Sequence, residues 1–235
     1  MNVCWISAGV SSFIAGYLCK SEIDKYIYID ICEQHEDSIR FIKDCEIVLG
    51  KEVEILQSRY ASVANVIHQF RFINSAYGAK CTDVLKKRVR KEWESQWTEP
   101  ITYYWGMDLN ERHRAVRLTE AMENFSHRFP LIEKGLTKQD CHAMCKQIGI
   151  KRPLMYDLGY NNNNCIGCVK GGMGYWNKIR KDFPETFKRV GRLEREINHS
   201  CLKQYFLDEL PEGVGREDEP IVEDCSIFCQ LGLSD

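Results

Sequence analysis

Apolar and polar positions along this chain fall into two alternating rhythms. Val3-Cys4-Trp5-Ile6 is a short apolar run of the kind a buried strand shows, and it gives way to a small-residue turn, Ser7-Ala8-Gly9-Val10-Ser11-Ser12. The apolar stretch from Phe13 to Leu18 reads as the start of a helix. Lys25–Asp30 is a second strand, rich in β-branched and aromatic residues and ending in an acid. Ile39, Ile42, Cys45, Glu46 and Leu49 recur at three- and four-residue intervals, which predicts an amphipathic helix over Glu36–Gly50 closed by Gly50. Glu52–Leu56 alternates as a third strand. The order strand, helix, strand, helix, strand predicts an α/β fold: a parallel twisted sheet with helices on both faces.

Further on, Val84–Trp97 reads as a helix with a basic start and Ile101–Met107 as a strand. Thr137–Ile148 reads as a helix capped by Thr137 with Asp140 and stopped by Gly149. Beyond Pro153 the chain turns loop-rich, through Asn161–Asn164 and Gly171-Gly172. It is expected to be helical again from Tyr175 to about Asn198, before an acidic, irregular tail from Leu207. The expected organisation is an α/β domain over residues 1–160, with a Cys-rich loop, a helix and the tail over 161–235 packed on it.

Composition narrows the class. In 235 residues, 44% hydrophobic and 28% charged content is ordinary for a globular chain and excludes a disordered or collagen-like one. No apolar run approaches 18 residues, so no membrane span is expected, and the unbasic start predicts no secretory signal. Twelve cysteines then read as thiols or metal ligands in a reducing, cytoplasmic setting. Residues 207–224 hold eight acids against Arg216, a net −7 in a chain of net −2, which leaves +5 elsewhere. A mildly basic body favours an anionic small molecule or a nucleic acid as partner.

Parallel sheets place ligands at the carboxyl ends of their strands, where Ser7–Ser12 sits. Small residues there let backbone N–H groups approach an anion, and Ser7, Gly9, Ser11 and Ser12 are the candidate phosphate contacts; a plain tight turn is the competing reading. Asp30, ending the second strand, suits a ribose or an adenine amino group. Cys165-x-x-Cys168 can grip one metal ion or one cluster iron from a single loop, with Gly167 permitting the turn. Further ligands are available from Cys81 or from Cys225-x-x-x-Cys229. Cys4, Cys19, Cys32, Cys45, Cys141, Cys145 and Cys201 read as core or bystander thiols. Lys86, Lys87, Arg88, Arg90 and Lys91 put five positive charges into six positions, from which one or two side chains can reach a bound phosphate. Tyr175 and Trp176 read as core aromatics, with a lid or a base-stacking platform as the alternative.

Several spaced segments together resemble a known family. Ser7–Ser12 is similar to the PP-loop of the adenine nucleotide α-hydrolase-like superfamily. Cys81-Thr82-Asp83-Val84-Leu85-Lys86-Lys87-Arg88, the run Gly106–Ala115, Phe129–Glu133, and Pro153–Tyr160 leading into Cys165-Ile166-Gly167-Cys168 follow in the order of its phosphoadenosine phosphosulfate (PAPS) reductase branch. The resemblance covers about residues 3–200 and is nearest to PAPS reductase-family proteins of bacteria and their phages. It implies an adenine nucleotide (PAPS, APS or ATP) at Ser7–Ser12, with Lys87 and Arg114 near its anionic end. It implies a 4Fe–4S cluster on Cys81, Cys165 and Cys168, and sulfur reduction or transfer fed by a thioredoxin-like electron donor. Tail residue Cys225 falls where the reductases carry a nucleophilic cysteine that forms a thiosulfonate.

Departures from the pattern shape these expectations. Ala8 replaces a glycine, and Ser11 stands where ATP-splitting members carry Asp, which favours nucleotide binding without pyrophosphatase chemistry. Lys80 precedes Cys81 where the reductases have a second cysteine. The fourth cluster position is therefore open or filled from the tail, or else Cys165, Cys168, Cys225 and Cys229 form a closed zinc site. Two other functions stay open: nucleic-acid thiolation or modification, and a non-catalytic, zinc-stapled nucleotide-binding module. Self-association is compatible with each.

Overall fold

The computed structural model describes residues 1–75, 78–216 and 221. The chain runs β1 (Asn2–Trp5), α1 (Val10–Leu18), β2 (Lys25–Asp30), α2 (Asp37–Leu49), β3 (Val53–Gln57) and α3 (Val63–Phe70). A short antiparallel ribbon follows, β4 (Asn74–Ser75) with β5 (Gly78–Ala79). Next come α4 (Lys80–Thr82), a π-helical stretch over Asp83–Lys87, and α5 (Arg88–Glu94). Then β6 (Thr102–Tyr104), α6 (Arg112–Ala121) and β7 (Ser126–Arg128) complete the strands. Helices α7 (Pro130–Glu133), α8 (Lys138–Ile148), α9 (Leu154–Asp157), α10 (Met173–Asp182) and α11 (Pro184–Ile197) end the regular structure.

The five long-range strands form one all-parallel sheet in the order β3-β2-β1-β6-β7. The period of two along each strand divides the core. Cys4, Tyr26, Tyr28 and Tyr104 face α1, α2 and α8, meeting Phe13, Phe41, Ile42, Cys45 and Cys141. Val3, Ile27 and Tyr103 face the other way, onto Trp93 and Met122. A third apolar cluster joins α10 and α11 to α3 around the fully buried Trp176. The described residues contain no helix long and apolar enough to cross a membrane.

Local signals act as the sequence implies. Gly50 and Gly149 end α2 and α8 in the left-handed conformation (φ 66° and 85°), and Thr137 and Asp140 form a reciprocal cap on α8. Two of the expected helices differ in their bounds, the strand expected over Ile101–Met107 is confined to Thr102–Tyr104, and β7 was not expected. The predicted helix from Tyr175 to Asn198 is two helices, because Pro184 cannot donate to the preceding turn and starts α11 instead. The basic helix begins at Lys80, four residues earlier than expected, and passes through its π-helical stretch before α5.

The chain leaves β1 toward β2 on one side and reaches β6 on the other. The carboxyl ends of β1 and β6 therefore flank the point where strand order reverses, the place where doubly wound sheets open a crevice.

Candidate functional site

At that crevice, β1 leads into a tight loop held by its own side chains. The Ser12 hydroxyl donates to the Gly9 carbonyl at 2.8 Å and accepts the Ser7 backbone N–H at 3.0 Å. The Ser7 hydroxyl stands 3.1 Å from it. Ser12 is buried and thus acts as the loop's strut, whereas Ser7 is exposed at its tip. Ala8 takes a left-handed backbone (φ 54°), a conformation that costs a residue with a Cβ roughly 1 kcal/mol. Ser11 turns toward α8, where its hydroxyl bonds the buried Cys141 thiol.

Two neighbours press on the loop. Gly106, just beyond β6, packs so closely that a Cβ there would lie 2.3 Å from the Ser12 Cα. Glycine is required for that approach. On the other side, the buried Tyr156 oxygen accepts the backbone N–H groups of Val10 and Asn163. Burial raises the Tyr156 hydroxyl to about 12, so it stays protonated. The fully buried His142 meets the Tyr156 ring edge-on at 4.4 Å.

The Cys165–Cys168 loop crosses the same end of the sheet. Its left-handed Gly167 (φ 76°) has no room for a Cβ, which would come within 2.7 Å of the Thr186 methyl. The Tyr175 hydroxyl donates to the Cys165 carbonyl at 3.2 Å and accepts the Cys168 N–H at 2.8 Å. Tyr175 is thus neither lid nor platform but the pin of this loop. The Ile166 N–H bonds the Glu33 carbonyl, just past β2, at 2.7 Å, and the Glu33 carboxylate caps the start of α3.

Asn163 connects the two loops. Its amide nitrogen donates to the Ala8 carbonyl at 2.7 Å and to the Ser38 hydroxyl at 3.0 Å, while its buried carbonyl oxygen has no partner among the described residues.

Cys81, Cys165 and Cys168 are electrostatic neighbours. Burial raises the Cys165 thiol to about 12, with Lys86 opposing and Cys168, Glu33 and Cys81 adding to the rise. Burial also raises Cys81, with Cys168 adding and Lys170 and Lys86 opposing. Among the described residues, no group of three or more His, Cys, Asp and Glu side chains is closed around a point where one ion would sit. All ten described cysteines are free thiols.

The remaining candidates are more dispersed. Asp30 ends β2 beside the crevice, where its carboxylate accepts from the Gln57 amide at 2.7 Å. Lys86 is the member of the basic run whose charge reaches the thiols; Lys87, the next residue of the same π-helical stretch, is exposed. Arg114 is exposed on α6 and paired with Glu111. Cys225 and Cys229 lie outside the described residues. Asp108, which the motif reading passed over, is buried just beyond β6 and influences Cys141, the partner of Ser11. A cleft of about 580 Å³ lies at the opposite, amino edge of the sheet, between Asp24–Tyr26 and Lys51–Ile55, away from all of these groups.

The fold and its crevice define an α/β protein built on an all-parallel sheet. No family model and no curated protein matches the chain.

Proposed function

We propose that this protein is a PAPS reductase-like enzyme of the adenine nucleotide α-hydrolase-like superfamily, binding an adenine (sulfo)nucleotide at Ser7–Ser12. The observation that carries this reading is the Asn163 bridge, which holds the switch-point loop and the cysteine loop at one crevice. A bound adenylate would set its phosphate against the Ser7 hydroxyl and the loop backbone, with the dipole of α1 favouring the negative charge. Asp30, at the end of β2, would receive the nucleoside end.

Cys81, Cys165 and Cys168 would hold the metal centre. Their donor set fits it, since sulfur ligands select zinc or an iron–sulfur cluster and Lys86 and Lys170 offset thiolate charge. When bound, such a cluster would supply a polarisable, redox-active centre beside the sulfonucleotide.

The reaction follows from nucleotide and thiol together. A thiolate, in the resembled family a tail cysteine and here Cys225, attacks the sulfonate sulfur. The S–S bond forms as the S–O bond to the nucleotide breaks, leaving a thiosulfonate and the free nucleotide. A dithiol donor of thioredoxin type then reduces the thiosulfonate to sulfite and thiol, and is itself oxidised to a disulfide.

Incubation of anaerobically purified protein with APS, PAPS or ATP and a dithiol donor tests this. Sulfite release from a sulfonucleotide, lost in Cys225→Ser, supports the reading. Pyrophosphate release from ATP, stimulated by nucleic acid, would replace it with nucleic-acid modification. Tight nucleotide binding without turnover would leave a binding module.

A further inference from the structure

The sheet has two edges, and they are finished differently. β7 ends one side with three residues, Ser126-His127-Arg128, a short polar strand of the kind that resists pairing with another chain. β3 ends the other side with five residues, Val53–Gln57, and has no such guard. It contains no proline, and its central residue, Ile55, is 48% exposed. Its one charge, Glu54, is turned toward α5, where it accepts from the Trp93 indole at 3.1 Å and pairs with Lys25 at 3.8 Å.

The backbone of β3 shows which of its groups are open. Glu46 of α2 accepts the Val53 N–H at 2.8 Å, so that N–H points away from β2. Alternation along the strand turns the N–H and C=O of Ile55 and Gln57 the same way, toward the open edge. Glu46 thus brings α2 to this edge, and the adjacent Ile47 is 80% exposed. The edge therefore joins unpaired backbone groups to bared aliphatic surface.

We propose that the β3 edge docks a second copy of this chain, the two β3 strands pairing antiparallel across a two-fold axis into one continuous sheet. Such an interface meets itself and must be self-complementary. The register that pairs all of Val53–Gln57 sets Ile55 opposite Ile55, Glu54 opposite Leu56 and Val53 opposite Gln57. No like charges then face each other within the ladder. The two Ile55 residues exchange N–H and C=O groups, and each Gln57 N–H reaches the Val53 carbonyl of the other copy. Charge at the strand ends also matches. Glu52, exposed just before β3, meets Arg59 of the other copy, exposed just past its β3. Lys51, the base at that end, is drawn back to the Ile23 carbonyl. The crevice at β1 and β6 stays open, because β2 separates β1 from the paired edge. The inference does not depend on what that crevice binds.

The test is sedimentation velocity of the full chain at micromolar concentration, joined to a cross-linking experiment. Wild type is expected to sediment as a dimer. Ile55→Lys should weaken the dimer at least about tenfold while leaving the urea midpoint unchanged. Val116→Lys, at a 58% exposed apolar position on α6, is the control and should leave the dimer intact. In a Cys32→Ser background, which removes an exposed thiol, Ile55→Cys should form a disulfide between copies in oxidised glutathione. Facing hydrogen-bonded residues lie about 5.5 Å apart at Cα, within disulfide reach. Wild type that stays monomeric overturns the proposal. So does a dimer that Ile55→Lys leaves at full strength, or a dimer in which Ile55→Cys does not cross-link. If Ile55→Lys also lowers the urea midpoint, the Ile55→Cys cross-link decides.

Discussion

Asn163 donates its side-chain amide to the carbonyl of Ala8 across 155 positions of sequence, at 2.7 Å and out of contact with water. Ala8 is the left-handed residue of the switch-point loop, and Asn163 stands two residues before Cys165. One hydrogen bond therefore joins the anion loop directly to the segment that leads into the cysteine loop.

Removing that bond should be felt at both ends. Asn163→Ala leaves the Ala8 carbonyl unpaired in the interior, an expected loss of about 1–3 kcal/mol in urea unfolding. Adenylate affinity should also fall, by about tenfold, in equilibrium dialysis. A variant that loses stability yet binds nucleotide as tightly as wild type would separate the loop from the site.

Gly106→Ala forces a methyl group to within 2.3 Å of the Ser12 backbone, where neither strand nor helix can move freely. The expected destabilisation is about 2–3 kcal/mol, accompanied by weaker nucleotide binding. Gly172→Ala is the matching control, because nothing lies within 4 Å of its new Cβ. It should change stability by less than about 0.5 kcal/mol. Equal urea midpoints for the two variants would contradict the close packing of β6 on the loop.

Tyr175→Phe deletes the hydroxyl that bridges the Cys165 carbonyl and the Cys168 N–H. The fold should survive with a loss of about 1 kcal/mol. Iron retention during gel filtration should drop more sharply than thermal stability does, since the loop loses its pin while the ring keeps its packing.

His142 gives the fold an acid limit. It is completely buried, neither ring nitrogen has a partner among the described residues, and burial, followed by the charges of Arg152 and Lys138, lowers its pKa from 6.5 to about 3. Between those values the unfolded chain binds a proton that the native state refuses. Stability is therefore complete above about pH 6.5 and declines as pH falls, by up to roughly 5 kcal/mol near pH 3. His142→Leu should flatten the acid limb of a stability–pH curve measured by chemical denaturation. An unchanged limb would show that the loss arises elsewhere.

Much of the frame was legible because its causes are local. The second strand was read at its observed ends, and Gly50, Gly149 and the Thr137–Asp140 cap stop or start helices by backbone geometry alone. β7 was missed because Ser126-His127-Arg128 is polar and sits at a sheet edge, so it carries no apolar alternation. The break before α11 was missed because Phe187 and Val190 continue an apolar rhythm that hides the Pro184 start. At the site, the small-residue loop and the CxxC spacing could be read directly. Ser12 as a strut and Tyr175 as a pin could not, because each depends on chain segments brought together only by folding.

The central claim is that an adenylate sits at the β1 switch-point loop with a sulfur-ligated iron centre beside it. An anaerobic crystal structure of the reconstituted protein soaked with APS, with anomalous data at the iron edge, measures both at once. The account predicts nucleotide phosphate density against Ser7–Gly9 and iron peaks among Cys81, Cys165 and Cys168. Nucleotide in the cleft between Asp24–Tyr26 and Lys51–Ile55, or no iron signal at those sulfurs, would contradict it.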